Sequence, residues 1–137
     1  MVYGKGEILY EEEDIAILAV GSMVKTAETV RRNLKDAGYS CTLVNGRFIK
    51  PVDTELIREL SREHKLLVTI EENVRSGGFG EKVQDYVIEQ KLPVNILTIA
   101  LPDEYVEHGN VELLYEEVGI DAESVTKRIV EKYILSK

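Results

Sequence analysis

The chain has 137 residues, 44% hydrophobic and 31% charged, enough for one domain to bury a two-sided core without disulfides or a structural metal. Its 25 acidic residues against 17 basic ones leave a net charge of −8 with no basic run, which speaks against nucleic acid as a partner. Cys41 is the only cysteine, in the apolar run 41–44, so no intramolecular disulfide is possible and a buried, inert thiol is expected. The longest strictly apolar stretch, 15–20, is too short for a signal peptide or a membrane span, so the chain reads as cytoplasmic, with no membrane partner.

In chain order, Glu7-Ile8-Leu9-Tyr10 is a candidate edge strand before an acidic turn. Residues 15–20 form the first of four short apolar runs, each a candidate parallel strand covered on both faces. Met23, Ala27, Val30, Leu34 and Ala37 then step by three or four, which predicts an amphipathic helix begun by Gly21-Ser22 and stopped by Gly38. Run 41–44 is the second strand. Pro51-Val52-Asp53 leads into a helix capped by Asp53, with Leu56, Ile57 and Leu60 on one face. Run 66–70 is the third strand, and Phe79, Val83, Tyr86 and Val87 mark a helix that ends near Pro93. Run 96–99 is the fourth strand. A short helix over 111–118 and a longer one, capped by Asp121 and burying Ala122, Val125, Ile129 and Tyr133, close the chain. The alternation predicts a three-layer α/β/α fold with a mostly parallel, five-stranded sheet, in one domain over residues 1–137.

Parallel strands place their C-terminal ends on one edge, where open α/β sheets hold ligands. The loops there are 21–22, 45–53, 71–80 and 101–109. Ser76-Gly77-Gly78-Phe79-Gly80 follows a strand and opens a helix, so its N–H groups are candidates for an anion, although the third glycine of a dinucleotide fingerprint is missing. The plainer reading is a tight turn with close packing. Glu71-Glu72 ends a strand, where neighbours point to opposite faces, so a solvated or ion-paired role is favoured over a proton-sharing pair. His64 and His108 have no partner at metal-ligand spacing, and His64 near a helix end softens that helix's dipole. No Gly-x-Ser-x-Gly elbow, P-loop or Cys-x-x-Cys is present.

Several of these loops match one family in order and spacing. Gly4-Lys5-Gly6, Leu18-Ala19-Val20-Gly21-Ser22, Val44-Asn45-Gly46-Arg47-Phe48-Ile49-Lys50-Pro51-Val52-Asp53, Val68-Thr69-Ile70-Glu71-Glu72-Asn73 with Gly77-Gly78-Phe79-Gly80, and Leu101-Pro102-Asp103-Glu104-Tyr105-Val106-Glu107-His108-Gly109 resemble the C-terminal domain of the 1-deoxy-D-xylulose-5-phosphate synthases. Departures are small, with Val52 where leucine or methionine is common and Gly46 where alanine is common. Transketolase and the β subunit of 2-oxo acid dehydrogenases share the architecture but fit these loops less well.

The resemblance implies a fragment of a larger, three-domain, homodimeric transferase. That parent would use thiamine diphosphate and magnesium to condense pyruvate with glyceraldehyde 3-phosphate, releasing carbon dioxide, for isoprenoid and thiamine synthesis. The cofactor motif belongs to the parent's other domains, and this sequence has no Gly-Asp-Gly, so no catalytic, cofactor or metal residue is assigned here. The expected partners are those domains and a second subunit. Ser22, Arg47, Phe48, Lys50, Glu71, Asn73, Gly78, Phe79, Tyr105 and His108 are the expected docking residues, because the edge loops carry arginine and aromatics, the types enriched at interface centres. The alternative is a free-standing module binding a small anion at the Gly-rich turn.

Overall fold

A run of Val, Ile, Leu and Ala too short for a buried helix hides its backbone polar groups most economically as an inner strand. In the computed structural model, which describes residues 7–10, 14–20, 23–45, 54–74, 79–101 and 121–135, all four runs are strands and the first three are inner ones, whereas the fourth lies at the edge of the sheet with only Ile99 of 96–99 buried, so the expected cover on both faces is corrected for that run. The strands are β1 (Glu7–Tyr10), β2 (Asp14–Ala19), β3 (Cys41–Asn45), β4 (His64–Val74) and β5 (Asn95–Leu101). They form one sheet in the order β1-β3-β2-β4-β5. The four runs are parallel, and β1 joins as the expected edge strand, antiparallel to β3.

The pleat sends alternate residues of β2 to opposite layers. Ile15, Ile17 and Ala19 pack against α1 (Met23–Asp36) and α4 (Ala122–Leu135), whereas Ala16 and Leu18 pack against α2 (Thr54–Glu63) and α3 (Phe79–Glu89). The step from β2 to β3 runs one way across the sheet, and the steps from β3 to β4 and β4 to β5 run the other. Right-handed crossovers therefore put α1 on one face and α2 with α3 on the other. The change of direction makes a topological switch point between β2 and β4, at the C-terminal edge.

Helix ends are set by local chemistry. α1 buries Met23, Ala27, Val30 and Leu34 as its period predicts. Ala37, expected on that face, is instead exposed, because the helix stops at Asp36 and Gly38 turns the chain at φ 92°. Tyr39 N–H then donates to Leu34 O at 2.8 Å and Gly38 N–H to Lys35 O at 3.0 Å, the paired bonds of a Schellman stop. α3 ends in the same way, with Leu92 N–H on Val87 O at 3.0 Å and Lys91 N–H on Ile88 O at 3.1 Å. There the left-handed residue is Lys91, φ 52°. Asp121 caps α4 as expected, its Oδ2 accepting from Ser124 N–H at 3.2 Å. The expected cap at Asp53 and the helix expected over 111–118 lie outside the described residues.

Candidate functional site

The switch-point edge is built where β2 and β4 run out. Val20 N–H donates to Ile70 O at 3.0 Å, which carries the pairing of the two strands up to that edge. β4 continues past Ile70, its register with β5 shifts between Ile70 and Val74, and α3 starts at Phe79. Glu71 is therefore the first residue of β4 beyond its apolar run.

Glu71 is 1% exposed. Of the expected solvated or ion-paired role, the solvated half is corrected here, because the side chain is buried and its Oε2 accepts a 2.5 Å hydrogen bond from the N–H of Gly80 in the first turn of α3. That turn carries unpaired N–H groups and a positive dipole end, which favour a carboxylate. Close approach requires glycine at 80. A Cβ there would lie 2.6 Å from Thr69 Oγ1, 3.0 Å from Glu71 Oε2 and 3.3 Å from Thr98 Cγ2. Thr69 and Thr98 are register partners on β4 and β5, so Gly80 sits directly on the sheet. The Thr69 hydroxyl is fully buried and has no hydrogen-bond partner among the described residues. Sequence reasoning found the close packing of the glycines but missed the bond between Glu71 and Gly80. The available signal was a carboxylate at a strand end followed by a glycine that opens a helix.

Of the ten expected docking residues, Glu71 alone has a described side chain, and it faces α3. Asn73 lies in β4 and Phe79 opens α3, both on the expected edge. Ser22, Arg47, Phe48, Lys50, Gly78, Tyr105 and His108 lie outside the described residues. The carboxylate facing the first turn of α3 is a poor fit for a diphosphate, because it already holds an N–H that such a group would need and would repel its charge. Among the described residues no group of His, Cys, Asp or Glu is arranged to hold a metal ion.

His64 sits at the other end of the sheet, 5% exposed. Its Nδ1 donates to Leu60 O at 2.9 Å in the last turn of α2, and Nε2 meets the Thr42 hydroxyl at 2.9 Å. The position at a helix end matches the expectation, but the ring is a buried strut between α2, β4 and β3. Cys41 is buried, as expected. Among the described residues no helix is long and apolar enough to cross a membrane. A cleft of about 530 Å³ along α2 is lined by Glu55, Arg58, Glu59, Arg62 and Leu92, none of them an expected docking residue.

With this geometry in place, likeness to known proteins is informative. The family model described as "Transketolase, C-terminal domain" matches residues 4–125. The 1-deoxy-D-xylulose-5-phosphate synthase of Lachnoclostridium phytofermentans is 48% identical over 130 residues, covering 94% of this chain and 21% of the relative. That of Caldanaerobacter subterraneus subsp. tengcongensis is 40% identical over 130 residues, 95% of this chain and 21% of the relative. The chain thus spans about one fifth of the length of the curated relatives it matches. A solved split-gene transketolase, described as an inactive β4 tetramer, superposes with a TM-score of 0.90 at 27% identity, covering all (100%) of this chain and 45% of that one. The transketolase of Campylobacter jejuni gives a TM-score of 0.65 at 16% identity, over 95% of this chain and 20% of that one, a likeness of fold alone.

Proposed function

The chain belongs to the transketolase C-terminal domain family, in the form found in 1-deoxy-D-xylulose-5-phosphate synthases, and from that premise we propose that it is the non-catalytic docking domain of such an enzyme. The observation that carries this reading is the bond between Glu71 and Gly80 beside the switch point. A ligand-binding α/β domain keeps the N–H groups of its Gly-rich turn free for an anion. Here the domain's own Glu71 carboxylate takes that of Gly80. The edge is then a surface for other parts of the protein. Arg47-Phe48 offers a forked donor beside an apolar ring, and Tyr105 a second aromatic anchor.

The parent enzyme in this reading is a cytoplasmic homodimer. Its other domains bind thiamine diphosphate with magnesium and form deoxyxylulose phosphate and carbon dioxide from pyruvate and glyceraldehyde 3-phosphate, for isoprenoid and thiamine synthesis. The anion-binding module is disfavoured by Glu71.

A graft tests the proposal. This chain replaces the matching fifth of the Lachnoclostridium phytofermentans synthase, and Arg47→Glu and Tyr105→Ala are made in the graft and in the isolated chain. Docking requires an active dimeric graft, weakened by about 2 kcal/mol of association in each variant, and an isolated chain that keeps its stability. Variants that unfold the isolated chain yet leave the dimer intact would make Arg47 and Tyr105 core residues. Magnesium-dependent binding of thiamine diphosphate to the isolated chain at micromolar concentration would overturn the non-catalytic assignment.

A further inference from the structure

We infer that Glu71 is a built-in anion for α3, a positioning residue that fixes the corner between β4 and α3 and closes it to the phosphate of any substrate. The inference deepens the docking reading, on which its functional consequence rests. The runs flanking the switch point are apolar, and β4 from Leu66 to Ile70 is almost wholly so, with Thr69 the exception. A carboxylate placed next and buried is costly unless its oxygens find donors. Gly80 N–H is one such donor, and the absence of a Cβ at that position lets the helix approach to where the bond forms.

The geometry joins three elements at one point. Glu71 comes from β4, Gly80 from α3, and Thr98, whose methyl group lies against Gly80, from β5. An apolar residue at 71 would pack, but it would leave the start of α3 without a partner that fixes its position along the strand end. A hydrogen bond to a carboxylate is directional, and the contacts at Gly80 leave it little room to slide. Oriented N–H groups at a helix start would otherwise attract phosphate. With the carboxylate already there, a phosphorylated substrate has its charge repelled and its donor occupied.

The test reads the Gly80 amide by NMR in the isotope-labelled chain, with inorganic phosphate and sodium formate as probes. In the wild-type chain this amide is expected to be protected from hydrogen exchange and unmoved by phosphate at tens of millimolar. Glu71→Gln retains an acceptor and keeps protection within a few-fold. Glu71→Ala loses about tenfold, the loss of one charge-assisted hydrogen bond. Formate fits the vacated space and restores protection saturably, whereas chloride at equal ionic strength does not. A saturable phosphate shift in the wild-type chain, unchanged protection in Glu71→Ala, or no rescue by formate would each overturn the inference. If Glu71→Ala does not fold, the wild-type phosphate titration and the Glu71→Gln exchange rate still decide. In the grafted synthase, Glu71→Ala is expected to weaken association as Arg47→Glu does. An effect of Arg47→Glu alone sinks the role of Glu71 and leaves docking standing, and no effect of Arg47→Glu sinks docking while the amide data still judge the corner.

Discussion

Two glycines illustrate how differently one residue type constrains a fold. At Gly38 nothing lies within 4 Å of where a Cβ would be, so the cost of Gly38→Ala is the left-handed backbone alone, about 1 kcal/mol. At Gly80 a Cβ would lie 2.6 Å from Thr69 Oγ1, on a β-branched side chain in the middle of the sheet that cannot swing away. Gly80→Ala must push α3 off the strands and stretch the bond to Glu71. The expected loss is about 1–3 kcal/mol, larger than at Gly38, and urea unfolding of both variants checks the order. Asp121 adds a pH dependence. Burial pushes its carboxyl up, but the hydrogen bonds from Ser124 and neighbouring backbone outweigh it and hold the group below the usual aspartate range. A carboxyl whose folded pKa is depressed stabilises above its unfolded pKa, near 3.9, and that contribution is lost as pH falls through the folded value. Asp121→Asn can still cap α4, so it should leave neutral-pH stability nearly unchanged and flatten the stability profile below about pH 4. An unchanged acid slope in Asp121→Asn would show that the cap does not titrate. At the other end of α4, Tyr133 is raised, first by burial and then by the Asp14 carboxylate, and its ring meets Tyr39 edge-on at 5.6 Å.

At the scale of elements, the strands and the buried faces of the helices were legible because their signals are local. Short continuous apolar runs, a period of 3.6, a glycine after the last apolar step and an aspartate before the first one are all readable along the chain. The end of α3 was legible only as a neighbourhood, near Pro93. The residue that makes the turn is Lys91, φ 52°, and nothing in a lysine announces a left-handed backbone. The hydrogen bonds around Lys91 match those around Gly38, so Lys91→Gly should relieve the strain and stabilise the chain by about 1 kcal/mol. A lower thermal midpoint for Lys91→Gly would mean that the lysine side chain contributes more than its backbone costs. The role of His64 was half legible. A histidine near a helix end suggests the carbonyls of the last turn, but its second bond reaches Thr42, 22 residues away, and no local pattern encodes that.

For the whole molecule, what the sequence hid is long-range and polar. The fold class follows from alternation, and the edge follows from the parallel order. The Glu71–Gly80 bond joins residues nine apart across a turn, so it has no periodic signature. The same distinction bears on how the chain unfolds. Its two apolar clusters lie on opposite faces of the sheet, one holding Leu34, the other Leu60. Read as separate cores they would melt separately. They are nevertheless coupled, because alternate residues of β2 and β4 feed both: Ile17 and Val68 serve one, Leu18 and Leu67 the other. Losing either helical layer exposes one face of the central strands and removes the burial that keeps their ladder dry. Unfolding should therefore be a single transition. Leu34→Ala and Leu60→Ala, each expected to cost about 2–5 kcal/mol, should lower the midpoint of that one transition in calorimetry and leave its two-state shape intact. Two separated transitions in either variant would show that the α1/α4 and α2/α3 layers melt independently. In that case a docking variant that leaves the overall midpoint unchanged would have to be checked layer by layer.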